Sequence, residues 1–211
     1  MKKRAFLYSF KAKVTLVLIL GMLFVTALNN LLIYQFDLAS RFEQLRQSLM
    51  TVAKTATLAA EADTLQAIPL TWDGVQSPAY RKVSAKFQAF LEMNPTIQYI
   101  YVLAPTSTPS KLKFLIDMES LKHHPNRKRS AARPGDLYDA ARYPEMLRGF
   151  TEASADRELY TDAWGVTLSG YAPVRDETGK VIAILGVDVM ADDVAGMRLA
   201  VWRRVLFVFL W

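Results

Sequence analysis

The sequence predicts an α+β domain with an apolar segment at each end. Residues 14–34 form an uncharged run of 21 residues. Residues 37–68 place apolar side chains at steps of three and four, the period of an amphipathic helix. Later segments are short, apolar and bounded by turn-forming residues, as β-strands are. Helices followed by neighbouring strands indicate helices packed on an antiparallel sheet.

The N-terminal apolar run is predicted to be a transmembrane helix. A helix of about 20 residues crosses the ~30 Å hydrocarbon core of a bilayer, so residues 14–34 are long enough. Residues 1–13 carry five Lys and Arg residues and no acid, which places the N-terminus in the cytoplasm. The alternative is a signal peptide cleaved after Ala27. An anchor is preferred, because the helical pattern continues past Tyr34 without a break.

The C-terminal residues 200–211 are interpreted as the start of a second transmembrane helix that this sequence does not complete. Only seven residues follow Arg204, too few to cross a bilayer. An apolar tail packed against the domain is the alternative. On the preferred interpretation, an output module follows Trp211.

Two helices are predicted between these ends. The first covers residues 37–68, and its apolar stripe serves core packing, a dimer seam, or both. Ser77 followed by Pro78 is typical of a helix N-cap and first helical position, and Asn94-Pro95 ends this second helix. Its buried stripe is predicted to be Val83, Phe87, Phe90 and Leu91.

Strands are predicted in the second half of the chain. They cover residues 97–104, 112–118, 166–174 and 180–189, with a basic irregular loop at 121–134 and a short helix at 144–150. The last two strands form a hairpin whose turn ends on Gly179, a residue that readily takes positive φ. A final helix is predicted to begin near Ala191 and to continue into the apolar tail.

The charge distribution argues against nucleic-acid binding. The net charge is +6, but residues 35–199 carry 19 Lys and Arg against 20 Asp and Glu. A nucleic-acid-binding domain needs a basic face. The chain has no cysteine, which excludes disulfides and thiolate chemistry. We recognise no nucleophile–base pair, phosphate-binding loop or metal-ligand cluster, so we predict no enzymatic activity, cofactor or metal.

Seven short motifs follow one another between residues 37 and 194. They are SPAY at 77–80, IQYIY at 97–101, FLID at 114–117, PGDLYD at 134–139, YTDAWG at 160–165, LSGYAPVRD at 168–176 and GVDV at 186–189. This ordered series resembles the Cache/PDC family, the PAS-like extracytoplasmic sensor domains of bacterial receptors.

The resemblance implies a long N-terminal helix packed on a PAS-like antiparallel sheet, with a ligand pocket on the other face of the sheet. It implies that residues 35–199 lie outside the cytoplasm of a bacterium and are anchored to the inner membrane by the preceding helix. In such receptors a second transmembrane helix leads to a cytoplasmic diguanylate cyclase, histidine kinase or related module.

Asp188 is the first candidate ligand-binding residue, because a carboxylate in an apolar strand is costly to bury unless it is paired. The resemblance implies that an acid at this strand end binds the amino group of a ligand. Two alternatives remain: Asp188 caps the final helix at Ala191, or it pairs with an internal arginine.

Six further candidates are polar or aromatic residues near the predicted sheet. Alternation places Ser169 with Tyr171, and Tyr99 with Tyr101, on shared strand faces. Aromatic rings with a polar atom suit a small-molecule pocket but are also ordinary core residues. The candidates are Trp164, Tyr171, Ser169, Tyr101, Tyr99 and Asp117. The family's amino-acid motif pairs an arginine closely with a tryptophan, and no arginine stands near Trp164 in that pattern, which argues against an amino-acid ligand.

His123 and His124 are the only histidines, and two adjacent histidines are too few for a zinc site. The basic loop around them is interpreted as solvated, with contact to an anion as the alternative.

The sequence therefore predicts a signal-input domain that binds an unidentified small molecule, forms a homodimer and acts across a membrane. One alternative is a dimerisation or transducer domain whose pocket is filled by its own side chains. The other is a secreted domain released by signal cleavage.

Overall fold

A computed structural model describes residues 10–119, 132–161 and 166–190. The predicted final helix, the second apolar segment, the two histidines and Trp164 lie outside the described residues. The chain divides into two compact units, one of which covers Glu43–Gly196.

The first helix, α1, spans Phe10–Thr57 and contains the whole uncharged run of residues 14–34. It is long and apolar enough to cross a membrane, judged by length and composition, and 6% of its most apolar window is buried. The side chains of Leu49, Ala53 and Ala56 are buried nearer its C-terminal end. The predicted change from an apolar to an amphipathic helix therefore occurs within one continuous element.

The prediction that this helix continues to residue 68 is wrong. The amides of Leu58, Ala59 and Ala60 each donate to the carbonyl three residues earlier, instead of four. Such bonds tighten the last turn and end an α-helix. A separate short helix, α2, follows at Ala62–Gln66.

Helix α3, Pro78–Met93, has the boundaries that its terminal residues predict. The Ser77 side chain accepts a hydrogen bond from the Tyr80 amide at 3.1 Å, and Pro78 occupies the first turn. Its buried residues are the four predicted from the apolar stripe. A 3₁₀ helix, Trp72–Gln76, precedes it, and a later helix, α4, covers Pro144–Arg148.

In the part of the chain that the structure describes, the sheet contains seven antiparallel strands in the order β3-β2-β1-β7-β6-β4, with β5 also paired to β6. The strands are β1 Tyr99–Pro105, β2 Lys111–Glu119, β3 Leu137–Asp139, β4 Ser154–Ala155, β5 Tyr160–Thr161, β6 Val166–Arg175 and β7 Val181–Met190. The predicted hairpin is β6–β7, and Gly179 in its turn has φ of +83°.

The two faces of the sheet have different roles. On one face, a Cβ on Gly170 would lie 2.7 Å from the Leu49 backbone, so α1 and β6 are in close contact. Because side chains alternate along a strand, Ser169 and Tyr171 lie on the opposite face. That face carries a buried cluster that includes Tyr99, Tyr101, Phe114 and Tyr171. The α+β fold class is confirmed, and the aromatic face is where a pocket was expected.

Candidate ligand-binding site

Three predicted residues share one row across the sheet. Asp188 in β7 lies opposite Tyr99 in β1 and opposite Ser169 in β6. In the adjacent row on the same face, Gly186 separates Tyr101 from Tyr171. Strand pairing therefore brings together residues that are nearly 90 positions apart in the sequence.

Gly186 allows Tyr101 to reach Asp188. A Cβ on Gly186 would lie 2.3 Å from the Tyr101 ring, so the ring lies directly over this glycine. The Tyr101 hydroxyl donates a hydrogen bond of 3.0 Å to Asp188 Oδ1. Burial and the nearby Asp188 carboxylate raise the pKa of Tyr101 well above its usual value. Tyr101 therefore remains a neutral donor to the carboxylate.

A β-bulge in β2 places Phe114 on the same face as Asp117. Tyr101 pairs with Asp117 and Val102 pairs with Ile116, but Leu103 pairs with Phe114, which leaves Leu115 as an extra residue. Regular alternation would put Phe114 and Asp117 on opposite faces of the sheet. The extra residue, Leu115, shifts the alternation by one, so both side chains lie on the same face. Asp117 Oδ2 accepts a hydrogen bond of 2.7 Å from the Ala132 amide.

These residues enclose a cavity of about 20 Å³. It is lined by Tyr99, Tyr101, Leu103, Phe114, Asp117, Tyr138, Met146 and Asp188. This volume is close to the minimum that holds one water molecule, so an organic ligand requires the ring side chains to move. Among the described lining residues, the ionisable side chains are two carboxylates and three tyrosines, without a lysine or arginine.

The aromatic part of the lining continues as a row of packed rings. Tyr101 contacts Phe114 at a centroid distance of 6.3 Å, and Phe114 contacts Tyr138 at 5.9 Å. Tyr143 lies beyond Tyr138 at 5.6 Å. Ring faces carry partial negative charge, so this wall and the two carboxylates attract a cation.

A comparison with known proteins identifies the fold. No protein-family model matches the chain, and no curated protein sequence matches it. The ligand-binding domain of the Campylobacter jejuni chemoreceptor Tlp3, in complex with 4-methylisoleucine, aligns with a TM-score of 0.51 over 81% of this chain. The chain has the fold of this ligand-binding domain.

The alignment to Tlp3 has 13% sequence identity and covers 60% of that domain's length. An extracellular domain assigned to the histidine kinase vpHK1S-Z8 aligns with a TM-score of 0.46 and 11% identity, over 80% of this chain and 60% of that one. The Tlp3 likeness confirms the fold that the resemblance to Cache/PDC domains implied.

Four predicted site residues line the cavity: Asp188, Tyr101, Tyr99 and Asp117. Tyr171 and Ser169 are buried on the same face, but their polar groups meet Asp156 instead. The Tyr171 hydroxyl donates to Asp156 Oδ1 at 3.1 Å, and the Ser169 amide donates to Oδ2 at 3.0 Å. Trp164 lies outside the described residues, as does Ala191, where the alternative for Asp188 as a helix cap would apply.

Asp156 is the main residue that the sequence analysis missed. It is 1% exposed, and burial is the largest cause that raises its pKa to about 7, with a smaller contribution from Glu145. The hydrogen bonds from Ser169 and Tyr171 act in the opposite direction. Its position after the two-residue strand β4 gives no periodic signal, so only the paired structure reveals it.

Four lining residues also escaped prediction: Leu103, Phe114, Tyr138 and Met146. Tyr138 lies in β3, which joins the sheet through β2. Its motif, PGDLYD, was a signal for the family but not for the pocket. Within the described residues, no group of three or more His, Asp and Glu side chains is placed to hold a metal ion.

Proposed function

We propose that residues 35–199 form the signal-input domain of a bacterial membrane receptor and that the cavity binds a small organic cation. The protonated amino or quaternary ammonium group of the ligand contacts Asp188 and Asp117, and its carbon atoms pack against the tyrosine rings. The observation that carries this proposal is the pair of buried carboxylates in an aromatic wall. Carboxylates and the faces of tyrosine rings both attract cations.

The cavity chemistry favours a cation over a zwitterion. The described lining supplies two acids but no basic side chain for a ligand carboxylate. The Tlp3 domain was solved with 4-methylisoleucine, and an amino acid shares its cationic amino group with the ligand class proposed here. A ligand screen should therefore test amino acids as well as simple cations.

The proposed receptor is held by residues 14–34 in the inner membrane, with the N-terminus in the cytoplasm and the sensor domain outside. The long apolar helix supports this arrangement. Ligand binding selects one of two conformations, which the receptor, as a homodimer, passes to a cytoplasmic output module. A ligand signals only if it binds the two conformations with different affinity.

The small cavity favours a second candidate function, a ligand-free transducer domain. At about 20 Å³, the space is nearly filled by the protein's own side chains, as this alternative requires. Such a domain would respond through dimerisation, with the tyrosines and carboxylates serving the core alone.

A thermal-melt screen separates the two functions. The full chain in lipid nanodiscs is tested with choline, putrescine, n-butylamine, neutral alcohols and amino acids. A ligand at one hundred times its dissociation constant adds about 2.7 kcal/mol of stability. The proposal expects shifts from cations alone, lost in Asp188→Asn and retained in Asp176→Asn, a change in the exposed hairpin turn. No shift from any cation would favour the ligand-free transducer.

A further inference from the structure

Asp156 joins the first helix, the short strand β4 and the hairpin strand β6. Its carbonyl accepts a hydrogen bond from Arg46 Nε at 2.8 Å, and the neighbouring Ala155 carbonyl accepts from Arg46 Nη2 at 2.9 Å. Its carboxylate accepts from the Ser169 amide and the Tyr171 hydroxyl. One buried acid thus connects α1 to the strand beside the cavity.

The same acid lies in line with the cavity carboxylate. Asp156 exchanges backbone and side-chain hydrogen bonds with Ser169, and Ser169 pairs with Asp188. Two strand spacings therefore separate the Asp156 and Asp188 backbones, about 10 Å. The intervening region is buried, where charges are only weakly screened.

Other ionisable groups also face Asp156 or its immediate neighbours. Glu145 of α4 is 6% exposed and pairs with Arg157 Nε at 2.7 Å, and Arg46 pairs with Glu43 at 2.6 Å. The negative charge of Asp156 contributes to raising the pKa values of Tyr160, Tyr101 and Tyr171. Among the described residues, these groups are Glu43, Arg46, Tyr101, Glu145, Arg157, Tyr160, Tyr171 and Asp188.

We propose that Asp156 is a proton-exchanging positioning residue whose ionisation is coupled to the charge held in the ligand cavity. This inference rests on the proposed function for its physiological role. A cation bound at Asp188 stabilises the ionised form of Asp156, so ligand binding releases a proton to solvent. By linkage, the affinity for the cation rises as pH increases through the titration of Asp156.

The coupling has a definite sign and size. One unit charge at about 10 Å, in a medium of effective dielectric constant near 20, shifts a pKa by about one unit. Replacing Asp188 by Asn removes a negative charge from the same place, so it acts on Asp156 in the same direction as a bound cation. This substitution tests the coupling without any ligand.

Infrared difference spectroscopy on the full chain in nanodiscs measures the titration directly, because a buried protonated carboxyl gives a separate C=O band. We expect a band that is lost with a midpoint near pH 7, is absent in Asp156→Asn and persists in Glu92→Gln, an exposed control. In Asp188→Asn the midpoint falls by about one pH unit. A band that survives in Asp156→Asn, or an unchanged midpoint in Asp188→Asn, overturns the proposal.

Choline, whose charge does not vary with pH, then tests the link to ligand binding. Calorimetry at pH 7 in two buffers of different ionisation enthalpy counts protons released per choline bound. We expect about 0.4 proton from the unmodified chain and close to none from Asp156→Asn, with affinity rising about fivefold between pH 6 and pH 8. Equal proton release by both chains contradicts the coupling. Failure of choline to bind, with the Asp188→Asn midpoint shifted, rejects the proposed ligand class and leaves the coupling supported.

Discussion

Tyr101 and Asp188 lie on neighbouring antiparallel strands, and the Tyr101 hydroxyl donates a 3.0 Å hydrogen bond to the Asp188 carboxylate across the face of Gly186. Both side chains line the cavity. The contact joins the aromatic wall of the candidate site to its central acid, so a ligand that binds the carboxylate also acts on the ring.

Replacing Gly186 by Ala is expected to displace the Tyr101 ring and break this hydrogen bond. The new Cβ would meet the ring at 2.3 Å, and overpacking of this kind typically costs about 1–3 kcal/mol. Chemical denaturation measures the loss. In a Tyr101→Ala background the same substitution should cost much less, because the ring is absent. Equal costs in both backgrounds would show that the ring does not lie over Gly186.

The contact between α1 and β6 should tolerate Gly170→Ala poorly. Here the new Cβ would meet backbone atoms of Leu49 at 2.7 Å, and a helix backbone cannot rotate away as a side chain can. We expect a loss of about 2–4 kcal/mol, measured as a fall in the unfolding midpoint. Gly179→Asn is the control, because the site is open and Asn tolerates its positive φ. A neutral Gly170→Ala would contradict the packing of α1 on the sheet.

Arg46→Ala is expected to destabilise the domain by roughly 2–4 kcal/mol. The substitution leaves the carbonyls of Ala155 and Asp156 without their donor, and each unsatisfied buried acceptor costs about 1–3 kcal/mol. Arg148→Ala removes an exposed ion pair with Glu152, which contributes little to stability because it is screened by solvent, and serves as the control. Similar losses of stability in the two variants would exclude a structural role for the two hydrogen bonds that Arg46 donates to Ala155 and Asp156.

Stability should fall as pH rises from about 4 to about 7, and Asp156 should cause the fall. Folding raises the Asp156 pKa from 3.8 to about 7, so the folded state disfavours the ionised carboxylate. Its stabilising contribution is complete below about pH 4 and is lost progressively up to about pH 7, by up to a few kcal/mol. Melting temperatures at pH 5 and pH 8 measure this. Asp156→Asn should reduce the difference between the two melting temperatures, whereas Glu92→Gln should preserve it. An unchanged difference in Asp156→Asn would show that other groups cause the pH dependence of stability.

Local signals in the sequence predicted much of the fold. Ser77 and Pro78 determine where α3 begins, because capping depends on adjacent residues alone. Gly179 marks the hairpin turn for the same reason. Alternation also placed Tyr99 with Tyr101 on one strand face, and the structure brings both to the cavity.

Features that depend on long-range pairing were not predictable. The bulge at Leu115, which brings Phe114 to the side of Asp117, appears only when β2 is aligned with β1. The end of α1 at Thr57 has no glycine or proline to mark it. Asp156 follows a strand of two residues, so its partners Ser169 and Tyr171 were assigned to the pocket although their polar groups face this acid.

The most direct test of the central claim compares choline with its neutral isostere, 3,3-dimethylbutan-1-ol, by calorimetry on the full chain and on Asp188→Asn. The account predicts that choline binds, that the isostere binds at least tenfold more weakly, and that Asp188→Asn removes most of the difference because a buried carboxylate pairs with the cation. Equal affinity for the two compounds, or choline affinity unchanged in Asp188→Asn, would contradict a cation site in this cavity.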